Sequence, residues 1–213
     1  SFYTTYCSYF GVPADIVPLR EDFTLNVQDY VRKRSLPPAG IIFANPNAPT
    51  GIPLSLEDIE TILAANPDTT VVVDEAYVDF GGTSSVSLLE KYDNLVVIQT
   101  MSKSRALAGL RVGYALASAD IIQALERVKD SFNSYPMDTI AQVGAVASLK
   151  DTEYFARQCQ AKVFQIGIFF IHDRGMLVKA TKFFRQFKTE PCNLRRIIVL
   201  CSFFQNFRES IDL

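Results

Sequence analysis

Four short apolar runs dominate the first 120 residues, and their spacing constrains the fold more than any other feature. Most are rich in Val and Ile and have the length of strands buried on both faces. The runs are Ile41–Ala44, Val71–Val73, Leu95–Ile98 and Val112–Ala117. Helical patterns lie between or after them, and strands that alternate with helices predict an α/β fold with a mostly parallel sheet.

The helical patterns carry their own start and stop signals. Ser55-Leu56-Glu57-Asp58 resembles a capping box, and Asn66-Pro67-Asp68 closes the helix that it opens. Further helices are predicted over Asp120–Lys129 and, rich in Ala, over Asp138–Leu149. The residues predicted to face inward from the first two helices are Leu56, Ile59, Ile62, Leu63, Ile121, Ile122, Leu125 and Val128.

The composition excludes several classes of protein. The 213 residues carry a net charge of -2, which gives no general electrostatic reason to bind nucleic acid or an anionic membrane. No apolar run approaches the ~18–20 residues of a transmembrane helix. The four cysteines lack CxxC spacing and there is one histidine, so a metal site is not expected. The cysteines are expected to be reduced thiols of a cytoplasmic protein. The chain starts without Met or a signal peptide, and we expect it to begin partway through something larger.

The last 53 residues differ from the rest in charge and aromatic content. Residues 1–160 carry 12 Lys/Arg and 19 Asp/Glu, a net of -7, whereas residues 161–213 carry 9 and 4, a net of +5. Nine of the sixteen phenylalanines lie in this last part, where only Gln165–Ile171 and Ile197–Cys201 suggest strands. We predict a partial large domain over residues 1–150, and over 151–213 a helical link with an incomplete or discordant C-terminal segment.

Two interpretations of that segment stay open. It is either a basic, aromatic-rich subdomain or a tail produced by a shifted reading frame or a fusion, and we favour the second. Basic aromatic segments also bind single-stranded nucleic acid. The doubled phenylalanines have no regular spacing, which disfavours that function.

Polar residues follow the predicted strands directly. Asn47 comes after the first strand, Asp74 and Tyr77 after the second, and Lys103 after the third. Ligands of open α/β sheets bind beyond the carboxyl ends of the strands. The sequence therefore predicts a ligand site at this edge of the sheet.

These side chains suit a charged, phosphate-bearing ring held by a lysine as a Schiff base. A protonated ring nitrogen needs a carboxylate, here Asp74, and a ring oxygen needs a donor, here Tyr77. A reactive lysine such as Lys103 must be neutral part of the time, and a nearby cation favours this. A phosphate requires hydroxyls, backbone N–H groups and a bidentate cation. The residues that offer these are Thr100, Ser102 and Arg111.

Each residue taken alone has a simpler explanation. Lys103 would be a solvated charge, Arg111 a surface salt-bridge partner, and Tyr77 a core aromatic with a wet hydroxyl. Asp74-Glu75 after a valine run is also typical of Mg²⁺-binding acids in nucleotide-binding enzymes, but no glycine-rich loop ending in Gly-Lys-Ser/Thr precedes it. Their joint order at strand ends favours the ring-binding interpretation.

Residues 1 to about 155 resemble the fold-type I, pyridoxal-phosphate-dependent aminotransferases, and among them the histidinol-phosphate aminotransferase family. The motifs that carry the resemblance are Asn45–Gly51, Asp74–Tyr77, and Ser102-Lys103-Ser104 with Leu107–Gly113. The last run is highly specific, whereas many aminotransferase relatives share the Asn/Pro/Thr/Gly turn. The resemblance implies the three-layer large domain of that fold, with an incomplete or aberrant small domain.

The resemblance also implies roles for the site residues. Lys103 would hold pyridoxal 5'-phosphate and later move a proton between the substrate Cα and the cofactor. Asp74 would pair with the pyridine nitrogen and Tyr77 with the ring hydroxyl. The phosphate would bind to Thr100, Ser102 and Arg111. Phe2 falls where the family places an aromatic that stacks on the ring, and Tyr6 is a weaker candidate nearby.

Three departures from the family pattern bear on activity. Ala48 replaces the usual asparagine, which leaves Asn47 as the partner of the ring hydroxyl or leaves none. The family's N-terminal third, which supplies a phosphate loop and a tyrosine that crosses the dimer interface, is missing. The substrate carboxylate should meet arginines from the small domain, for which Arg195 and Arg196 are weak candidates.

The leading interpretation is an enzyme of histidine biosynthesis, homodimeric in its complete form, that exchanges an amino group between histidinol phosphate and 2-oxoglutarate. One alternative is a truncated, non-catalytic remnant of such an enzyme. Another is a related pyridoxal-phosphate-dependent aminotransferase or decarboxylase with a different substrate. Missing sheet neighbours would expose edge strands and apolar faces, so we expect the isolated chain to associate or to need a partner.

Overall fold

A computed structural model describes residues 2–48, 50–161 and 198–201, with residue 2 and residues 198–201 described by their backbone alone. The strands of its sheet, in spatial order, are β1 Gly40–Ala44, β2 Thr70–Asp74, β3 Leu95–Thr100, β4 Val112–Ala117 and β5 Ile198–Cys201. The α-helices are α1 Phe2–Tyr9, α2 Gln28–Val31, α3 Leu56–Ala65, α4 Ala119–Phe132 and α5 Thr139–Lys150. Short 3₁₀ turns occupy Val78–Phe80, Ser85–Glu90 and Ala108–Leu110, and residues 152–161 are helical.

The sheet is mostly parallel, as the sequence predicts. β1, β2 and β3 run parallel to one another, β4 runs antiparallel to β3, and β5 runs antiparallel to β4. Among the five described strands, β4 is therefore the reversed one. Residues 101–111 join β3 to β4 as a returning loop instead of a helical crossover, which makes an antiparallel pairing possible. The carboxyl ends of β1–β3 and the start of β4 consequently share one edge.

Helices cover both faces of the sheet. On one face α3 buries Ile59, Ile62 and Leu63 completely against a cluster that includes Val71 and Val97. On the other face α4 buries Ile122 against a cluster formed by Val96, Ala115 and Ala117. Each such side chain stabilises the fold by about 1.5–3 kcal/mol relative to its exposed state. This arrangement gives the three layers expected of the fold.

The predicted helix boundaries are close to those observed. Ser55 caps α3, where its Oγ accepts a hydrogen bond from the Asp58 N–H at 3.1 Å. Asp138 caps α5 in the same way, accepting from the Ala141 N–H at 2.7 Å. Capping side chains accept hydrogen bonds from N–H groups that the first helical turn leaves unpaired. Few residue types can do this, so the start of a helix can be predicted from the sequence.

One predicted core residue is wrong. Val128 was expected to face inward from α4, but it is 52% exposed. Ile121, Ile122 and Leu125 pack against the sheet, and α4 then continues to Phe132, which is 68% exposed. The helical spacing of apolar residues continues along α4 beyond Leu125, the last residue of the helix that packs against this cluster of the sheet. The apolar pattern therefore predicts a longer buried stretch of α4 than the structure shows.

Of the strand expected at Ile197–Cys201, the described residues Ile198–Cys201 form β5. The predicted strand Gln165–Ile171 and the candidate arginines Arg195 and Arg196 lie outside the described residues. None of the helices in the described part has the length and apolar character to cross a membrane. Within the same residues there is no group of three or more Cys, His, Asp or Glu side chains that could hold a metal ion.

Candidate functional site

Asp74 is held firmly at the edge where the predicted site residues gather. It is the last residue of β2, and its register partners are Ala44 on β1 and Ile98 on β3. The Asn45 N–H donates to the Asp74 carbonyl at 2.8 Å, and the Glu75 N–H donates to the Ile98 carbonyl at 2.8 Å. Backbone hydrogen bonds from both neighbouring strands therefore fix the position from which the Asp74 side chain projects.

The Asp74 carboxylate has two donors. The Tyr3 hydroxyl, delivered by α1, donates to one oxygen, and the Ala76 N–H donates to the other at 3.1 Å. Burial of Tyr3, followed by its hydrogen bond to Asp74, raises the pKa of the phenol. Tyr3 consequently stays a neutral phenol that donates its hydrogen bond to Asp74.

Tyr3 was not among the predicted site residues. The sequence pointed to Phe2 and Tyr6 instead, and the side chain of Phe2 lies outside the described part of the structure. Tyr6 is half-buried, and burial raises its pKa. Tyr3 and Tyr6 are three residues apart and share a helix face, a spacing that could have drawn attention to Tyr3.

Lys103 and Tyr77 come together across the strand ends. The Lys103 Nζ lies 5.2 Å from the centroid of the Tyr77 ring, within the range of a cation–π contact. Lys103 itself is exposed, whereas Tyr77 is half-buried. The loop is anchored on the next residue, because the buried Ser104 hydroxyl donates to the Asp79 carboxylate. The amine is thus presented to solvent and to ligands from an anchored loop.

The predicted phosphate residues lie at the end of β3 and in the loop that returns from it to β4. The Thr100 Oγ1 accepts from the Ser102 N–H at 3.1 Å, which curls the chain directly after β3. Met101 donates its N–H to the Val112 carbonyl at 3.0 Å and so closes the loop at the start of β4. Arg111 precedes β4 with a left-handed backbone, φ 53°, and is exposed. Hydroxyls and a guanidinium therefore occupy one loop, next to Lys103.

Asn47 lies in a hydrogen-bonded turn after β1. Its side-chain amide donates to the Thr50 hydroxyl at 2.8 Å, and its backbone N–H donates to the Ile52 carbonyl at 3.1 Å. The preceding Asn45 is buried and accepts from the Leu54 N–H at 2.7 Å. These bonds hold the turn against the end of β1, although the Asn47 side-chain amide is already engaged within it.

A cavity of about 850 Å³ opens at this edge of the sheet. Four site residues, namely Tyr3, Asn47, Asp74 and Tyr77, contribute to its wall. Lys103 joins them through its contact with Tyr77. Thr100, Ser102 and Arg111 are not part of that wall and lie on the adjacent loop. The arrangement offers an anionic acceptor, two phenols and an amine to a planar ligand, with anion-binding groups to one side.

This donor set suits pyridoxal phosphate. Asp74 matches a protonated ring nitrogen, Tyr77 a ring oxygen, and Lys103 an aldehyde. Thr100, Ser102 and Arg111 supply the hydroxyls and the cation that a phosphate prefers. The fit rests on residues from two segments, one at the end of β2 and directly after it and one that joins β3 to β4, which the sheet brings to one edge.

The chain is similar in sequence to known aminotransferases. The family model described as aminotransferase class I and II matches residues 1–168. The chain is 58% identical over 160 residues to histidinol-phosphate aminotransferase 1 of Pseudomonas fluorescens, and the match covers 75% of this chain and 45% of that protein. It is 57% identical over 161 residues to histidinol-phosphate aminotransferase 2 of Dechloromonas aromatica, covering 76% and 44%. The chain thus spans less than half the length of these relatives.

Solved structures show the same fold. Histidinol-phosphate aminotransferase from Clostridium acetobutylicum superimposes with a TM-score of 0.67 at 27% identity, covering 74% of this chain and 48% of that one. The Sinorhizobium meliloti histidinol-phosphate aminotransferase, solved in complex with pyridoxal-5'-phosphate, gives 0.66 at 25% identity, covering 74% and 43%.

Proposed function

The chain belongs to the class I and II aminotransferase family, and on that premise we propose that it forms part of a pyridoxal-phosphate-dependent histidinol-phosphate aminotransferase. The reaction would exchange an amino group between histidinol phosphate and 2-oxoglutarate, in histidine biosynthesis. The observation that carries the proposal is the Lys103 amine 5.2 Å from the Tyr77 ring, at the edge where Asp74 ends β2. The names of relatives at 57–58% identity support the substrate.

We assign each residue one task. When bound, pyridoxal phosphate supplies an electron sink for the carbanion that deprotonation of the substrate Cα leaves. Lys103 would hold the cofactor covalently until the substrate amine displaces it, and its released amine would then move the proton at the substrate Cα. Asp74 keeps the ring nitrogen protonated, because its carboxylate stabilises the positive charge. Tyr77 would donate to the ring oxygen. Asn47, one N–H of whose side-chain amide donates to Thr50, would be a second partner there through its other N–H.

The remaining cofactor contacts belong to the loop and to the start of the chain. Thr100 and Ser102 donate hydroxyl hydrogen bonds to the phosphate, and Arg111 offers two parallel N–H donors. Phe2 would stack on the ring. By its resemblance to the family, we propose that the complete active site is that of a cytoplasmic homodimer.

A second candidate is a non-catalytic remnant that keeps cofactor-binding residues. The two differ in turnover, which can be measured with this polypeptide alone and again in the presence of a full-length relative. Turnover of histidinol phosphate by the chain alone excludes the remnant. Cofactor binding without turnover, restored by the full-length partner, supports it.

The cofactor site is tested by covalent trapping. The wild type, Lys103→Ala and Lys150→Ala are incubated with pyridoxal phosphate, reduced with borohydride and analysed by peptide mass spectrometry. Lys150 is the matched control, since it is an exposed lysine in the last turn of α5. We expect one trapped cofactor on Lys103 in the wild type and in Lys150→Ala, and none at that position in Lys103→Ala. A wild type without a trapped cofactor overturns the proposed function.

A further inference from the structure

We propose that Glu75 is a positioning residue of this site, which holds the ends of β2, β3 and β4 in one fixed arrangement without touching the ligand. The expected effect of Glu75 on cofactor binding rests on the proposed function. Its role in holding the strand ends together rests on the geometry of its hydrogen bonds alone. Glu75 directly follows Asp74, and nothing in the reaction requires a second carboxylate at this position. Both oxygens of the Glu75 carboxylate nevertheless accept hydrogen bonds from neighbouring residues.

Glu75 is a carboxylate buried to 1% exposure with four hydrogen-bond donors. One oxygen accepts from the Ser85 N–H at 2.6 Å and the Ser85 hydroxyl at 2.5 Å. The other accepts from the Ser84 hydroxyl at 2.6 Å and the Gln99 side-chain amide at 2.8 Å. Burying a charge is costly unless donors replace its water. Here each carboxylate oxygen accepts from two donors, so both the position and the orientation of the Glu75 carboxylate are fixed.

The donors connect the strands that carry the proposed cofactor residues. Gln99 immediately precedes Thr100 on β3, just as Glu75 immediately follows Asp74 on β2. The Gln99 side-chain oxygen in turn accepts from the Tyr114 hydroxyl on β4 at 2.7 Å. Tyr114 lies three residues after Arg111. The chain Glu75–Gln99–Tyr114 therefore ties together the ring-nitrogen side and the phosphate side of the site.

The network lies beneath the site instead of within it. Successive side chains of a strand point to opposite faces of the sheet, so Gln99 projects away from Thr100. The network also joins β3 to the reversed strand β4, where residues 101–111 return along the edge. Displacement of about 1 Å in a reacting group can cost about a hundredfold in rate. A directional link across three strand ends limits such displacement.

Hydrophobic side chains would stabilise a buried position equally well or better. What they lack is a fixed geometry. The polar network therefore predicts a specific pattern. Glu75→Gln replaces one of the two acceptor oxygens by an amide donor, so either the Ser85 pair or the Ser84 and Gln99 pair of donors loses its acceptor and the link is weakened. Adding Gln99→Glu exchanges the donor and the acceptor and restores the link. In that double variant the carboxylate at position 99 accepts both from the amide at position 75 and from the Tyr114 hydroxyl.

The test compares the wild type, Glu75→Gln, Gln99→Glu and the double swap, with Glu90→Gln as an exposed glutamate control. The first measurement is hydrogen exchange of the backbone N–H groups of residues 75 and 101 without cofactor. These two groups donate hydrogen bonds between neighbouring strands at the strand ends. We expect exchange there to become about tenfold faster in each single variant and to return to the wild-type rate in the double swap and the control. Wild-type exchange rates in both single variants would overturn the proposal, as would a double swap no better than the single variants.

The second measurement is spectrophotometric titration with pyridoxal phosphate, together with the pH dependence of its absorption band. We expect the Kd to rise about tenfold in each single variant and to recover in the double swap. If the wild type binds no cofactor, the proposed function fails while hydrogen exchange still decides the positioning role. If a single variant does not fold, Ser84→Ala removes one donor of the four, and an unchanged exchange rate in that variant counts against the proposal.

Discussion

The Tyr3 hydroxyl donates a hydrogen bond to the Asp74 carboxylate and thereby joins α1 to the end of β2 across 71 positions of sequence. Asp74 is the residue we assign to the ring nitrogen of the cofactor, so the first turn of α1 reaches the centre of the site. The hydrogen bond therefore couples the packing of α1 to the position of the Asp74 carboxylate.

Tyr3→Phe should lower the free energy of unfolding by about 1–2 kcal/mol. A hydrogen bond to a charged group typically contributes about 1.5–3 kcal/mol, and the Ala76 N–H still serves Asp74 in the variant. Urea denaturation of the cofactor-free chain measures the change. Tyr135→Phe is the matched control because Tyr135 is 94% exposed, and an equal loss in both variants would contradict the role of the contact.

Stability should fall as the pH rises above about 10, the ordinary pKa of an unfolded tyrosine. Burial and the bond to Asp74 raise the pKa of Tyr3 in the fold, so the unfolded chain loses its proton first and is favoured at alkaline pH. The stabilisation is complete below the unfolded pKa and declines above it. Unfolding free energies from about pH 8 to pH 11 should decline less steeply in Tyr3→Phe than in the wild type. Parallel curves would show that Tyr3 does not contribute.

Leu63→Ala should destabilise the fold by about 2–5 kcal/mol, because it leaves a cavity between α3 and the sheet where Leu63 is fully buried. Val128→Ala in α4 should change stability by about 0.5 kcal/mol or less, since that side chain is half exposed and packs outside the cluster. Thermal unfolding of both variants checks the pair. A large loss in Val128→Ala would mean that α4 is covered along its whole length.

Ser104→Ala should loosen the loop that carries Lys103. The substitution leaves the Asp79 carboxylate without the buried hydroxyl that donates to it, at a cost of about 1–3 kcal/mol. Limited proteolysis should cut the variant faster between residues 101 and 106. Ser131→Ala is the control, an exposed serine on α4 whose hydroxyl donates to the Arg127 carbonyl, and it should be cut at the wild-type rate.

The local elements were predictable because their signals are local. Runs of β-branched residues mark strands, and Ser55 and Asp138 satisfy helix N–H groups within one turn. The positions of Asp74 and Lys103 relative to the sheet follow from the same pattern, because residues after parallel strands meet at one edge. The assignment of these residues to a cofactor stays a prediction that trapping on Lys103 will test.

Other features depend on contacts between distant residues, which no local pattern encodes. The sequence by itself determined where β1–β4 and the helices α3, α4 and α5 form, and approximately where each of them ends. Only the tertiary structure decided that β4 reverses, that Tyr3 reaches Asp74, and that Glu75 is anchored by residues 84, 85 and 99. Strand direction follows from how the returning loop packs, and a side-chain hydrogen bond requires its donor and acceptor to be brought within about 3 Å by the fold. Local sequence therefore supplies the residues of the site, and the fold aligns them.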